Sequence, residues 1–185
     1  MGSKPEKLRN TPEDLPRSIN ERAQNLFETG QLLCSEAVLT VINRGLGGDL
    51  PDDVAVRLAA AFPQGIGDSG CTCGALAGGV LAIGLFLGRS RPGGRDSQGS
   101  MPAAKVLHNS FRNLYGSTCC RVLSKKVRKD PKAHVRQCAQ FTGKTAELVA
   151  QIILDKYPEL AQKADWKYLD TRDSKIASKL KLLFS

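Results

Sequence analysis

The sequence predicts an all-α protein, a single-domain helical bundle with a buried, glycine-rich central helix. Three observations point there. Aromatic residues make up only 5% of the chain while Gly, Ala and Leu are common, which suits close helix packing better than a sheet of β-branched and aromatic residues. Apolar residues recur at helical spacing along most of the length. Finally, Ala75 to Leu87 is an unbroken apolar run of 13 residues. That is short of the roughly 20 a membrane span needs, and it fits a helix inside a folded core, so no transmembrane segment is expected.

The 185 residues, 41% apolar and 24% charged, suffice for one hydrophobic core and fall short of two. Residues 1–17 read as a flexible N-terminal segment, with Pro5, Pro12 and Pro16 among charges. From Ser18, the spacing of Ile19, Ala23, Leu26 and Phe27 predicts a first helix, stopped at Gly30. Cys34 opens a second, with Ala37, Val38, Val41 and Ile42 on one face and Gly45, Gly47 and Gly48 at its end. Leu50-Pro51-Asp52-Asp53 reads as the start of a third helix that Pro63 closes.

A glycine-rich loop, Gln64 to Gly70, then leads through Cys71 and Cys73 into the apolar helix. Gly74, Gly78 and Gly84 each weaken that helix by about 1 kcal/mol relative to Ala, a cost that close approach of neighbouring backbone or a cofactor would explain. A helix over 101–115 follows, with Val106, Leu107 and Phe111 as its expected buried stripe and Gly116 at its end. Cys119 and Cys120 lie just beyond. A long helix over 134–156 carries Cys138, and residues 158–185 read as a C-terminal helical extension. The domain proper thus spans 18–157. The amphipathic end, Lys179 to Phe184, is expected to pack on its own domain, with a second subunit (a homodimer) or a membrane surface as the alternatives.

The net charge is +9, and seven Lys or Arg fall between Arg121 and Arg136 against the single acid Asp130. Such a cluster is most often a solvated face, and otherwise a docking face for an acidic partner. No aromatics interleave with the cations and no known binding motif is present, so nucleic acid is not an expected ligand. The N-terminus carries no apolar signal segment, which leads to the expectation of a cytoplasmic protein. In a reducing compartment six cysteines bind metal or do redox chemistry more often than they form structural disulfides.

Cys73 stands where a glycine-rich loop becomes a helix, a place where backbone N–H groups and the helix dipole favour a thiolate. A lowered pKa is therefore expected there, and more weakly at Cys34. Cys71 offers a second ligand or a resolving thiol. Adjacent Cys119 and Cys120 are too close for an unstrained disulfide, so one is expected to point inward while the other does something else. Cys138 follows His134 by four residues and shares its helix face; the pair could hold a metal, although a solvent-facing His is the commoner arrangement. CxxC, zinc-finger, ferredoxin, Walker-type and dinucleotide-binding signatures are all absent from the sequence.

The segment Cys73-Gly74-Ala75-Leu76-Ala77-Gly78, together with Cys34 upstream and Cys120 and Cys138 downstream, resembles the redox-active protein family named for a C…GCAxxG…C…C pattern. The resemblance implies a helical domain with redox-active cysteines and, through them, an iron–sulfur cluster (2Fe–2S or 4Fe–4S) held by Cys34, Cys73, Cys120 and Cys138. Cys71 and Cys119 are additions to that pattern and further candidate ligands. Three functions follow as expectations. The first is iron–sulfur electron transfer with a redox partner protein. The second is metal-free thiol–disulfide chemistry, as an oxidoreductase or sensor centred on Cys73 as the catalytic thiol. The third is a soft-metal-binding module.

Overall fold

The structure, a computed structural model, describes residues 10–95 and 99–174. Most of the N-terminal lead-in and the Lys179 to Phe184 segment lie outside the described residues. All regular elements among the described residues are helical, joined by one isolated antiparallel bridge, Thr72 to Cys119. This is the all-α domain that composition and periodicity predict.

Helix α1 (Leu15–Glu28) opens at Leu15 rather than Ser18, because Pro16 sits in the first turn, where its missing N–H costs nothing. It buries Leu15, Ile19, Ala23 and Leu26, one stripe at helical spacing. Helix α2 (Cys34–Gly45) starts where the Glu36 carboxylate reaches back to accept the Leu33 N–H at 2.8 Å. Helix α3 (Asp52–Ala59) ends before Pro63, and α4 (Pro63–Ile66) is a single irregular turn. Helix α5 (Gly74–Leu87) is the apolar one.

Helix α6 (Ser100–Tyr115) stops on Gly116, whose φ of 75° suits a residue without Cβ. Its buried stripe is Ala103, Leu107 and Phe111, at i, i+4 and i+8. Val106, expected to be inside, is 54% exposed because it sits about 100° around the helix from that stripe. Helix α7 (Cys120–Ser124) is short. Helix α8 (Pro131–Leu154) begins three residues before His134, because the Asp130 carboxylate accepts the N–H groups of Lys132 and Ala133, and Pro131 takes the first helical position. After a 3₁₀ turn (Pro158–Lys163), α9 (Trp166–Asp170) completes the described fold.

Helices α1 and α8 make the most extensive contact, and α2, α6 and α8 all pack on α5. The GAxxG part of the sequence explains how closely. A Cβ on Gly78 would collide with the backbone of Ser35, so α2 and α5 touch main chain to main chain. Gly84 does not fit that account: a Cβ there would meet nothing within 4 Å. Val80 and Leu85 lie on the same open side of α5, 43% and 42% exposed, so the central helix is covered on most of its surface rather than all of it.

The C-terminal segment is tied back onto α1. The buried Arg22 guanidinium meets the Asp173 carboxylate at 2.7 Å, donates to the Thr171 carbonyl at 2.9 Å, and stacks 4.9 Å from the Tyr168 ring. No helix among the described residues is long and apolar enough to cross a membrane.

Candidate functional site

Four elements bring four cysteines to one place. Cys34 is the first residue of α2, and Cys73 is the residue at which the loop turns into α5. Cys120 is the first residue of α7, and Cys138 lies in the second turn of α8. All four line a single cavity of about 280 Å³. Its walls are otherwise apolar for the most part, formed by Phe27, Leu33, Pro63, Leu123 and Phe141, and His134 stands at one side.

The alignment of Cys73 with Cys120 comes from main-chain pairing. The Cys73 N–H donates to the Thr118 carbonyl at 2.8 Å, and the Cys120 N–H donates to the Cys71 carbonyl at 3.1 Å. That ladder stitches the start of α5 to the start of α7. Gly65, with φ of 81°, lets a tight turn pass beneath it, since a Cβ there would strike Cys120 and the Gly70–Cys71 backbone.

The neighbouring turn is unusual. Gln64, Ile66 and Asp68, none of them glycine, have φ of 57°, 55° and 64°, alternating with Gly65 and Gly67 in the same left-handed region. Each such residue costs about 1–2 kcal/mol. The turn directs the Gln64 N–H at the Cys34 sulfur, and the N–H groups of Ala75 and Leu76 at the start of α5 are aimed at the Cys73 sulfur.

Those donors do not make reactive thiolates. Burial pushes the Cys73 thiol up to about 12, reinforced by the nearby Cys34, and the N–H groups of Leu76 and Ala75 offset only part of it. Burial likewise raises Cys34 to about 11, against the pull of the Gln64 N–H, and Cys138 to about 12. Cys120 is raised by burial and by Cys119, with the Arg128 guanidinium opposing. The lowered pKa expected at the helix starts of Cys73 and Cys34 is thus overturned. Helix position supplies N–H donors, and desolvation outweighs them.

The two additional cysteines stand elsewhere. Cys71 is exposed, and the Cys119 thiol donates to the Gly70 carbonyl at 2.9 Å; neither lines the cavity. All six thiols are free. His134 lines the cavity one turn from Cys138, half-buried, whereas the commoner outcome for such a residue is to face solvent. Sequence patterns gave no signal for Tyr115. It belongs to an edge-packed aromatic trio, with its ring 4.5 Å from Phe141 and 4.8 Å from Phe111. Its phenol is raised by burial, then by the nearby Cys73 and Glu147.

Among the described residues no group of three or more His, Cys, Asp or Glu side chains closes on a point where a single ion would sit. The sulfurs instead surround a cavity. Their chemistry fits a soft, many-atom group: four thiol donors, N–H groups aimed at two of the sulfurs, and apolar walls that limit water.

No curated protein and no solved structure matches this chain. A family model does, over residues 32–152, which takes in α2 through most of α8 and all four cavity cysteines. The motif glycines whose missing Cβ atoms admit Cys34 and Ser35 fall within that match. With well over half of its length covered, the chain belongs to the family described as "Putative redox-active protein (C_GCAxxG_C_C)".

Proposed function

We propose that this redox-active protein is a one-electron carrier whose cavity cysteines, Cys34, Cys73, Cys120 and Cys138, hold an iron–sulfur cluster. The observation that carries the proposal is the convergence of four thiols from four separate elements on one apolar cavity of about 280 Å³. Four thiolates are what a two- or four-iron cluster requires, and such a cluster would supply reversible one-electron chemistry.

The chain's own contribution can be derived from its residues. The N–H groups of Gln64, Ala75 and Leu76, directed at the sulfurs of Cys34 and Cys73, stabilise negative charge on those atoms and so favour the reduced state. Phe27, Leu33, Leu123 and Phe141 keep water away, which disfavours added charge. The thiols must lose their protons before they can bind metal, and burial makes that costly in the free protein. The same burial weighs against thiol–disulfide exchange at Cys73, which needs a populated thiolate.

Serine replacement of each cysteine in turn tests the assignment. Cys34→Ser, Cys73→Ser, Cys120→Ser and Cys138→Ser should each lose most of the bound iron, while Cys71→Ser and Cys119→Ser keep it. Iron retained at the wild-type level in Cys73→Ser and Cys138→Ser would contradict it.

A further inference from the structure

The opening of the cavity has a charged rim on one side. Leu123 and Ser124 line the cavity from α7, and His134 and Cys138 line it from α8, so the segment that joins these helices borders the opening. That segment is strongly basic. Lys125, Lys126, Lys129 and Lys132 are exposed, as are Arg121 before it and Arg136 beyond it.

Little nearby offsets this charge. Asp130, the one acid between Arg121 and Arg136, is occupied as the cap of α8. Asp68, on the adjoining turn, pairs with Arg128 at 3.6 Å, and Arg121 donates to the Ser69 carbonyl at 2.6 Å. Exposed apolar side chains stand at or beside the lining: Leu33 lines the cavity and is 49% exposed, while Ile66 at 49% and Val122 at 58% lie within two residues of the lining residues Gln64 and Leu123. Charge around a small apolar contact, next to a redox site, is what a fast and transient encounter needs, because long-range attraction speeds association while few contacts slow release.

Resting on the electron-carrier reading above, we propose that this face docks an acidic one-electron carrier protein, with Cys120 as the cavity ligand nearest the contact. Cys120 is half-buried and lines a small surface depression together with Arg121, Arg128 and Asp68 of the rim. In each exchange the reduced carrier loses one electron and the site gains one, or the reverse, and no bond is made or broken.

The test uses the full chain as purified, with its iron content measured on the same samples and an acidic plant-type ferredoxin as the probe. Binding is titrated at low and at physiological salt for the wild type and two charge reversals. One is Lys125→Glu/Lys126→Glu/Lys129→Glu on the rim. The other is Arg89→Glu/Arg91→Glu/Arg95→Glu, the same change in charge on the exposed loop at the far end of α5, about 20 Å from Cys73 by helix rise.

The expected result is that the rim variant binds at least about tenfold more weakly and loses most of its salt dependence, while the loop variant binds like the wild type. Equal loss in both variants, or in neither, would overturn the docking face. So would tighter binding of a duplex DNA than of the ferredoxin. Protein that contains iron and ignores the probe refutes the docking face alone. Iron-free protein that still binds through the rim refutes the electron-carrier reading and leaves the acidic partner in place.

Discussion

Gly74 and Cys34 occupy one another's space: a Cβ on Gly74 would collide with the Cys34 sulfur. It would also stand 3.0 Å from the Phe62 carbonyl oxygen and 3.3 Å from the Pro63 Cα. The residue after Cys73 is therefore glycine for a reason that belongs to the site. It lets a cysteine from α2 reach the start of α5.

Substitution separates that role from simple helix propensity. Gly74→Ala and Gly78→Ala should each destabilise the fold by about 1–3 kcal/mol, since the obstructing atoms include backbone that cannot swing away. Gly84→Ala meets nothing and should stabilise by about 0.4–1 kcal/mol. Urea unfolding of the three variants measures all of this, and Gly74→Ala should also bind less iron.

Helix positions were legible because Ile19, Ala23 and Leu26, or Leu107 and Phe111, mark stripes by spacing alone. The cost of Gly74 and Gly78 in an apolar helix reflects close approach of neighbouring atoms, whereas Gly84 faces open space, and propensity does not say which face is covered. The thiol acidities are not legible in the sequence for a related reason. A helix start is visible in the sequence, but burial of Cys73 is a tertiary property and it dominates. The left-handed turn at Gln64, Ile66 and Asp68 has no local signature beyond the flanking glycines.

Thiol reactivity should follow burial. In metal-free protein at pH 8, Cys71 is alkylated first, being exposed. Cys73 and Cys138, raised to about 12, should carry roughly 1,000-fold less thiolate than an ordinary cysteine and react last. Mass mapping after timed iodoacetamide treatment gives the order. Rapid labelling of Cys73 ahead of Cys71 would contradict it.

The same shifts set a pH dependence for the metal-free fold. Folded Cys34, Cys73 and Cys138 hold their protons up to about 11–12, whereas in the unfolded chain they titrate near the ordinary value of 9.0. Above that value the unfolded state binds fewer protons, so stability should be fully present below about pH 9 and fall as pH rises toward 12. Iron binding, which expels these protons, should strengthen as pH rises from about 6 to 9. Denaturation midpoints and iron titrations across pH check both directions.

Phe141 links the cavity wall to the aromatic trio and is 7% exposed. Phe141→Ala should cost about 3–5 kcal/mol and admit water to the cavity. Any bound iron should then be lost to a chelator several-fold faster than from the wild type, a rate followed by absorbance.

The most direct measurement is anaerobic purification of the full chain, followed by a visible spectrum with iron and acid-labile sulfide assays. The account predicts brown protein with matching iron and sulfide, in amounts suited to one two- or four-iron cluster per set of four cysteines. Colourless protein that stays free of iron and sulfide after anaerobic reconstitution would contradict it.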